Sequence, residues 1–400
     1  MSYRQMNLTF LGTCSGGGPS DTRNCSSLVL DVLGRGGPLW MVDCAEGTVR
    51  QFAFQPENWT FKLRPNAVRK LFITHMHADH TMGIIPLLRN ILYPPPVTAA
   101  AAAQFPRSDL PRIEIFGPAG IRRFVRTILK MTLTNTADKY VVHELLTADD
   151  EVTTCDPDEM HSSEVPGQDV RCSEDGFWRG FTSGQSQGHL GDIVVDAGPI
   201  LHRDPCIGYV FNETDASQRQ IVVLGDTYDA SGIVPLCKNP SLVVHEATDC
   251  YIPLHIQPTQ KRSSEVVEQS ALSRGHSIPR VAGEFAKAVG AERLIMNHIG
   301  GRFPAPRHDR DPRQQVIREI ERQATEAWAS PGRQAQAAWD FMRVSVNESR
   351  DRARPHSNSN SQVLATEEFP PLTGNAQAPP QPAYADPGEG LLYVNKKRKW

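Results

Sequence analysis

The stretch LFITHMHADHTMG, Leu71–Gly83, contains three histidines and one aspartate within six positions. These four side chains are His75, His77, Asp79 and His80. An apolar run, Lys70–Thr74, comes just before them and predicts a strand, and a helix is predicted to start near Thr81. The loop between them can turn the first two histidines towards one ion and the aspartate with the last histidine towards a neighbouring ion. Imidazole and carboxylate suit Zn²⁺, and oxygen-rich variants of such sites accept Mn²⁺.

Four later positions extend the candidate site, and they are His202, Asp226, His276 and His298. Asp226 ends the apolar run IVVLGD and His298 ends RLIMNH, so each is predicted at a strand end. His276, in RGHSIP, comes before a predicted helix. His202 follows the strand candidate DIVVDAGPIL, and His189 in QGHLGD is its rival as the third ligand.

Composition limits the class of protein. Hydrophobic residues make up 39% of the 400 residues and charged residues 22%, which is slightly polar for a globular enzyme. The formal net charge of −3 argues against binding nucleic acid through an overall positive charge, so a nucleic-acid substrate would need a local positive patch. No apolar stretch approaches the roughly 20 residues of a membrane helix, which predicts no membrane partner.

The cellular compartment is predicted from the first residues and from the cysteines. A strand is predicted almost directly after Met1, which leaves no room for a signal or transit peptide. Eight scattered cysteines form no C-x-x-C pair and predict a reducing compartment, either cytoplasm or nucleus. The final KKRKW is either a nuclear-import signal or a solvated charged end.

Short strands alternate with helices along most of the chain, which predicts an α/β or α+β fold. Strands are predicted at Met6–Leu11, Ser26–Leu33, Leu39–Asp43, Arg69–Thr74, Arg112–Phe116, Asp192–Ala197, Ile207–Phe211, Gln220–Leu224 and Leu242–His245. Helices are predicted at Thr81–Leu92, Gly120–Leu133, Ile278–Val289 and Pro312–Trp328. The segment Ala338–Val346 is predicted as a closing strand or helix.

Two insertions and a tail interrupt this pattern. Residues 96–110 contain an alanine run after three prolines and predict a loop. Residues 150–190 are acidic and polar and predict a partly disordered surface insertion. From 349 to 400 the composition is of low complexity and predicts a disordered tail, which leaves residues 1–348 as the folded domain.

A series of motifs supports a family resemblance. The first three are FLGTCSGGGPSDTRNCSSLVL (Phe10–Leu30), MVDCAEGTVRQF (Met41–Phe52) and THMHADHTMG (Thr74–Gly83). They are followed by LHRDPCIGYVF (Leu201–Phe211), LGDT (Leu224–Thr227), HEAT (His245–Thr248), GHS (Gly275–Ser277) and NH (Asn297–His298). In type and order these motifs resemble those of ribonuclease Z, a zinc endonuclease family that trims tRNA precursors at the 3′ end. The family belongs to the metallo-β-lactamase superfamily, so the resemblance implies an αββα sandwich of two packed sheets with outer helices.

The resemblance also implies a ligand set for two zinc ions. One ion would be held by His75, His77 and His202, and the other by Asp79, His80 and His298. Asp226 would bridge both ions. Two metals can neutralise a phosphate and bring the pKa of a bound water from about 16 to near 7.

Further residues receive roles from the same resemblance. Asp79 is the candidate to orient the nucleophile, and His276 is the candidate to donate a proton to the leaving oxygen. Glu246 would hold His276 in its protonated form, and Asp43 would orient a ligand imidazole. Arg23 and Asn24 either contact phosphate or brace the first hairpin, and the sequence does not decide between them.

The substrate expected from the family is precursor tRNA, and the family also implies a homodimer. Two departures bear on the substrate. Single-domain family members carry a long tRNA-gripping arm between the third-motif histidine and the bridging aspartate, whereas only a short segment separates His202 from Asp226. Asp21 stands where the family has a lysine. The alternative is therefore an arm-less phosphodiesterase for small phosphodiesters or other nucleic acid. The motifs D-C-x-E-G-T and H-E-A-T argue against a lactonase, and the complete ligand set argues against an inactive scaffold.

Overall fold

The computed structural model describes residues 5–34, 36–93, 110–186, 190–215, 217–308 and 310–347. Most of the predicted insertion at 96–110, the rival ligand His189 and the predicted tail at 349–400 with its KKRK run lie outside these residues. The limits of the folded domain therefore stay a prediction.

The described strands and helices agree with the predicted alternation. The strands are β1 (Met6–Gly12), β2 (Cys14–Ser15), β3 (Ser27–Asp31), β4 (Leu39–Val42), β5 (Val68–Phe72), β6 (Pro111–Pro118), β7 (Lys139–Leu146), β8 (Glu164–Val165), β9 (Asp169–Arg171), β10 (Trp178–Gly184), β11 (Ile193–Ile200), β12 (Cys206–Glu213), β13 (Gln220–Val223), β14 (Leu242–Glu246), β15 (Leu294–Asn297), β16 (Ile299–Gly300), β17 (Gln336–Ala337) and β18 (Arg343–Val346). The helices are α1 (Thr48–Ala53), α2 (Ala78–Thr81), α3 (Ile84–Ile91), α4 (Ile121–Met131), α5 (Ser264–Ser273), α6 (Pro279–Ala288) and α7 (Arg313–Trp328), with 3₁₀ turns at Pro65–Ala67 and Ser231–Leu236.

Two mixed sheets and one small sheet contain these strands. The first sheet has the order β18-β1-β3-β4-β5-β6-β7-β8, and β9 also pairs with β7. The second has the order β10-β11-β12-β13-β14-β15-β17, and β2 pairs with β16 separately. Strands β4 to β7 are parallel, as are β13 to β15. Parallel strands end at one edge of a sheet, where open α/β folds place their ligands.

Three apolar cores separate four layers. Between the sheets, Phe72 of β5 packs against Tyr209 and Phe211 of β12, with ring centroids 5.3 Å apart in both pairs. Its chain neighbour Leu71 points the opposite way, because successive strand residues alternate between faces, and packs with α3 and α4. Helices α6 and α7 cover the outer face of the second sheet. The order helix, sheet, sheet, helix confirms the αββα sandwich.

The predicted helix Thr81–Leu92 is in fact split into α2 and α3 at Met82–Gly83. The cause is a close approach between two loops. The Gly83 N–H donates to the Cys44 carbonyl at 2.8 Å, and a β-carbon on Gly83 would lie 1.9 Å from the Ala45 carbonyl oxygen. Only glycine fits there, and the contact holds the loop after β4 against the histidine-bearing turn.

The insertion at 150–190 was predicted to be partly disordered and on the surface; the disorder is wrong for residues 150–186 and 190, although many of them are exposed. This segment supplies β8 and β9 to the first sheet and β10 to the second. Its acidic residues pair with arginines of α4: Glu164 with Arg126 at 2.9 Å and Asp169 with Arg122 at 2.8 Å. The polar composition suggested that the segment is solvated and unstructured. Its carboxylates instead pair with the guanidinium groups of arginines that are buried beneath it.

Outside this segment the sequence analysis also missed β7, α1, α5 and the two-residue strands β2, β16 and β17. The segment Ala338–Val346 resolves into strand β18. None of the described helices combines the length and apolarity that a membrane crossing requires.

Candidate metal centre

The candidate ligands lie where parallel strands end. His75 follows β5, Asp226 follows β13 and His298 follows β15 directly. Asp79 and His80 lie on α2 and His77 is its N-cap; the Cys44 N–H fixes the position of this helix by donating to the His80 carbonyl at 2.9 Å. Because β5 and β13 belong to different sheets, the site spans the edge of the sandwich.

The structure brings all seven candidate ligands together. One group, in which all ligand atoms lie within 4.8 Å of one another, comprises His75, His77, His202 and Asp226. A second group of the same kind comprises Asp79, His80 and His298. The two groups meet at Asp226, whose Oδ1 lies 3.4 Å from His80 Nε2 and whose Oδ2 lies 3.7 Å from His75 Nε2.

Each imidazole has one nitrogen engaged outside the cluster. The pairs are His75 Nδ1 with Thr74 Oγ1 (3.1 Å), His77 Nε2 with Asp204 (2.7 Å), His80 Nδ1 with Asp43 (2.7 Å), His202 Nδ1 with the Gly275 carbonyl (2.6 Å) and His298 Nδ1 with Thr248 Oγ1 (2.9 Å). When the engaged nitrogen holds the proton, the other keeps its lone pair. Five lone pairs therefore converge on the space between the rings.

The contacts inside the cluster fit a cation better than an empty polar core. His75 Nε2 lies 2.8 Å from His77 Nδ1, and His80 Nε2 lies 3.2 Å from His298 Nε2. Asp226 is buried, and its Oδ1 accepts no hydrogen bond from the described residues. Facing lone pairs repel and an unpartnered buried carboxylate is costly, whereas a divalent ion would satisfy all of them.

Two residues of the site have strained backbones. Asp43 has a φ of 57° and His298 a φ of 53°, in the left-handed region that residues other than glycine seldom adopt. Asp43 is buried and also accepts from the Thr74 N–H at 2.9 Å. Strain at two positions that aim imidazoles is typical of functional sites.

His276 and Glu246 form a pair beside the cluster. His276 Nδ1 lies 3.1 Å from Glu246 Oε1 and 3.7 Å from Asp226 Oδ2. Glu246 is buried and also accepts from the Thr227 N–H and from Thr248 Oγ1. Burial is the largest single effect and would lower the pKa of His276, but the hydrogen bond to Glu246 and the negative charges of Glu246 and Asp226 together raise the pKa above its usual value. The arrangement favours a protonated imidazole at the edge of the cluster.

Sequence reasoning missed Thr248 and Asp204. Thr248 links Glu246 to His298, because its Oγ1 lies 2.6 Å from Glu246 Oε2 and 2.9 Å from His298 Nδ1. Thr248 is the last residue of the HEAT motif, so this motif could have indicated a role for it at the site. Asp204 comes two residues after His202, but no spacing rule connects it with His77.

Asp204 gives a first prediction. Its carboxylate accepts from His77 Nε2 and so fixes the tautomer that presents Nδ1 to the cluster. We expect Asp204→Ala to weaken metal affinity about tenfold. Loss of a residue that orients a metal ligand costs roughly 10- to 100-fold, and the lower value applies here because the Asp204 side chain is 56% exposed. Competition with a chromogenic chelator measures the affinity. Asp229→Ala, which removes a carboxylate that accepts from the N–H of Ser231, is the control. An unchanged affinity in Asp204→Ala would show that His77 needs no such partner.

The two open readings of Arg23 and Asn24 are settled by burial. Arg23 is 2% exposed and donates to Thr13 Oγ1 and to the carbonyls of Phe303 and Ala338. Asn24 donates to the Glu46 carbonyl. Both residues brace the N-terminal hairpin and are not presented to a substrate.

Asp340 lies under this hairpin and gives a pH prediction. Burial raises the pKa of Asp340 to about 6, and hydrogen bonds from Asn24 and Thr13 offset this only in part. The folded chain therefore holds a proton that the unfolded chain releases near pH 4, so this stability contribution is present below about pH 4 and is lost as pH rises through about 6. The rise from 3.8 corresponds to about 3 kcal/mol.

We expect Asp340→Asn to remove that decline. Urea unfolding at several pH values between 4 and 7, with a chelator present, measures the free energy of unfolding. The matched control is Asp175→Asn, which changes an exposed carboxylate paired with Arg179. If wild type and Asp340→Asn lose stability in parallel, Asp340 does not carry the proton.

Comparison with known proteins places this geometry in a family. A protein-family sequence profile described as the metallo-β-lactamase superfamily matches residues 21–167 of the chain. Ribonuclease BN of Cronobacter sakazakii is 31% identical over 311 residues, which cover 75% of this chain and 91% of the relative. Ribonuclease Z of Bacillus velezensis is 26% identical over 360 residues, which cover 86% of this chain and 100% of the relative. The chain belongs to the ribonuclease Z family.

A solved structure of a ribonuclease Z relative agrees with this assignment. The short form of human tRNase Z shares 28% identity, covers 85% of this chain and 99% of its own, and superposes with a TM-score of 0.56. A long-form RNase Z from yeast, at 19% identity and a TM-score of 0.51, shows the same fold. The chain is thus a hydrolase of the metallo-β-lactamase superfamily, with the His/Asp cluster that binds metal in this fold.

Two departures from ribonuclease Z are visible in the structure. Strands β12 and β13 are antiparallel neighbours joined by residues 214–219, so no long arm can occur between His202 and Asp226. Asp21, at the position of the family lysine, forms an exposed ion pair with Arg307 at 2.7 Å.

Proposed function

We propose that this chain is a dinuclear zinc endoribonuclease that processes the 3′ end of precursor tRNA, with residues 1–348 as its catalytic domain. The observation that carries the proposal is the convergence of the seven candidate ligands beside the Glu246–His276 pair. The names of the relatives, ribonuclease Z and ribonuclease BN, supply the class of substrate. Zinc is proposed over magnesium because five of the seven ligands are imidazoles.

The proposed ligands divide between two ions. His75, His77 and His202 would hold one ion, and Asp79, His80 and His298 the other. Asp226 would contact both, since its two oxygens face opposite groups. When bound, a pair of zinc ions neutralises phosphate charge and makes a water molecule acidic enough to serve as nucleophile at neutral pH.

The side chains around the ligands have separate proposed tasks. Asp79 Oδ2 is held by the Gly16 N–H at 2.6 Å and is 14% exposed, so it can orient an attacking water and accept its proton. His276, protonated through Glu246, would donate a proton to the leaving ribose oxygen. Asp43 and Thr248 would hold the rings of His80 and His298.

A second candidate function follows from the short β12–β13 connection. Without an arm at that position, a phosphodiesterase for small phosphodiesters or other nucleic acid would have the same catalytic centre. The two candidates differ in substrate binding and share the chemistry of hydrolysis.

One paired assay separates the two candidates. The purified full-length chain, loaded with zinc, is given a precursor tRNA transcript and bis(p-nitrophenyl) phosphate. Cleavage of the transcript at the 3′ trailer supports tRNA processing. Hydrolysis of the small ester alone rejects tRNA processing and favours the second candidate, and no hydrolysis of either rejects both. A homodimer and a cytoplasmic or nuclear location stay predictions.

A further inference from the structure

We propose that three arginines beside the metal centre, Arg262, Arg274 and Arg302, form a binding site for the phosphate backbone of RNA next to the scissile bond. This arginine cluster would replace the grip of the missing arm. The inference rests on the proposed function, and it concerns residues that take no part in metal binding or proton transfer.

The cluster is arranged around one buried carboxylate. Asp249, whose side chain is 4% exposed, lies 3.0 Å from Arg262 Nη1, 3.2 Å from Arg274 Nη2 and 2.5 Å from Arg302 Nη2. One carboxylate neutralises one guanidinium, so three arginines around Asp249 leave an excess of two positive charges. Holding like charges together is unfavourable unless an anion joins them.

The three guanidiniums remain accessible. Their side chains are 30% exposed for Arg262, 53% for Arg274 and 37% for Arg302. Arg274 also donates Nε to the Ser270 carbonyl, and Arg302 donates Nη2 to the Cys250 carbonyl. Arg262 uses Nη1 for Asp249, whereas the Nη1 groups of Arg274 and Arg302 find no hydrogen-bond acceptor among the described residues and are left free for phosphate oxygens.

The members of the cluster come close to residues of the metal centre along the chain. Asp249 directly follows Thr248, which bonds to His298. Arg274 precedes His276 by two residues, and Arg302 follows His298 by four residues. A backbone whose phosphate reached the metals would pass these arginines.

RNA is favoured over a small anion as the occupant. A single phosphate needs one bidentate arginine, whereas three guanidiniums from separate segments suit successive phosphates. The chain as a whole is acidic, with a net charge of −3, so local positive charge of this kind is what an RNA substrate requires.

Binding of a fluorescent precursor tRNA by the full-length chain tests the inference. We expect Arg274→Ala to raise Kd about tenfold and to lower the slope of log Kd against log salt by about 0.7 to 1, the amount for one phosphate contact. Arg262→Ala should change Kd and the salt slope in the same way. Arg274→Lys keeps a positive charge, so its Kd and salt slope should lie between those of wild type and Arg274→Ala. Hydrolysis of bis(p-nitrophenyl) phosphate should stay at the wild-type rate, because that ester is too small to reach the cluster.

Arg333→Ala is the matched control. This exposed arginine bonds to the Ala291 carbonyl at the N-terminal edge of the parallel strands, away from the ligands. Its replacement should leave Kd and the salt slope unchanged. Unaltered RNA binding in Arg262→Ala and Arg274→Ala would overturn the inference, as would an equal loss of small-ester hydrolysis, which would make the cluster structural. RNA binding that depends on these arginines without any cleavage would overturn the proposed function alone.

Discussion

Asp226→Ala is expected to remove the paired metal ions and to lower turnover on the order of 10⁴-fold, as loss of a central catalytic group does. Asp226 is the only proposed ligand whose two oxygens face opposite groups, with Oδ1 3.4 Å from His80 Nε2 and Oδ2 3.7 Å from His75 Nε2. Without this negative charge, two divalent ions would repel each other across the imidazoles. Elemental analysis of the purified protein measures metal per chain.

Stability gives an independent readout of the same variant. Asp226 is a buried carboxylate without a hydrogen bond to its Oδ1, so its removal should not destabilise the metal-free chain. Zinc in excess should raise the melting temperature of wild type, by linkage, and raise that of Asp226→Ala much less. Asp175→Ala, which changes an exposed carboxylate paired with Arg179, should keep the wild-type response. Two zinc ions per chain in Asp226→Ala would refute the bridging role.

Much of the candidate site could be predicted from the sequence because the ends of buried strands can be predicted. Asp226 and His298 each end a buried apolar run, and such runs predict strands that deliver the next side chain to the sheet edge. The choice of His202 over His189 came from the motif that follows it, and His202 lies in the cluster. The fold was likewise predicted, since the motif order implied the αββα sandwich.

Other features depend on partners that are distant in sequence. The polar segment 150–190 looked unstructured, and its ion pairs become apparent only when the buried Arg122 and Arg126 are placed beneath it. Asp204 and His77 are 127 positions apart in the sequence but form a hydrogen bond. Asp249 contacts arginines from three separate segments. Periodicity describes one element at a time, so contacts between elements of this kind leave no pattern in the sequence.

His276→Ala is expected to lower turnover of precursor tRNA by about 10²–10⁴-fold while metal content stays at the wild-type level. Glu246 raises the pKa of His276, so the imidazole can carry the proton that the departing ribose oxygen needs. The p-nitrophenolate group of bis(p-nitrophenyl) phosphate leaves readily without a proton. The variant should therefore hydrolyse the small ester at close to the wild-type rate.

This difference between substrates separates proton donation from support of the cluster. If His276 only shaped the pocket around Asp226, both substrates would suffer together and metal would be lost. Glu246→Gln keeps the shape but not the charge, so it should lower RNA turnover less than His276→Ala and again spare the small ester. His308→Ala, at an exposed histidine, is the control and should match wild type. Full RNA turnover in His276→Ala would assign the leaving-group proton to another donor.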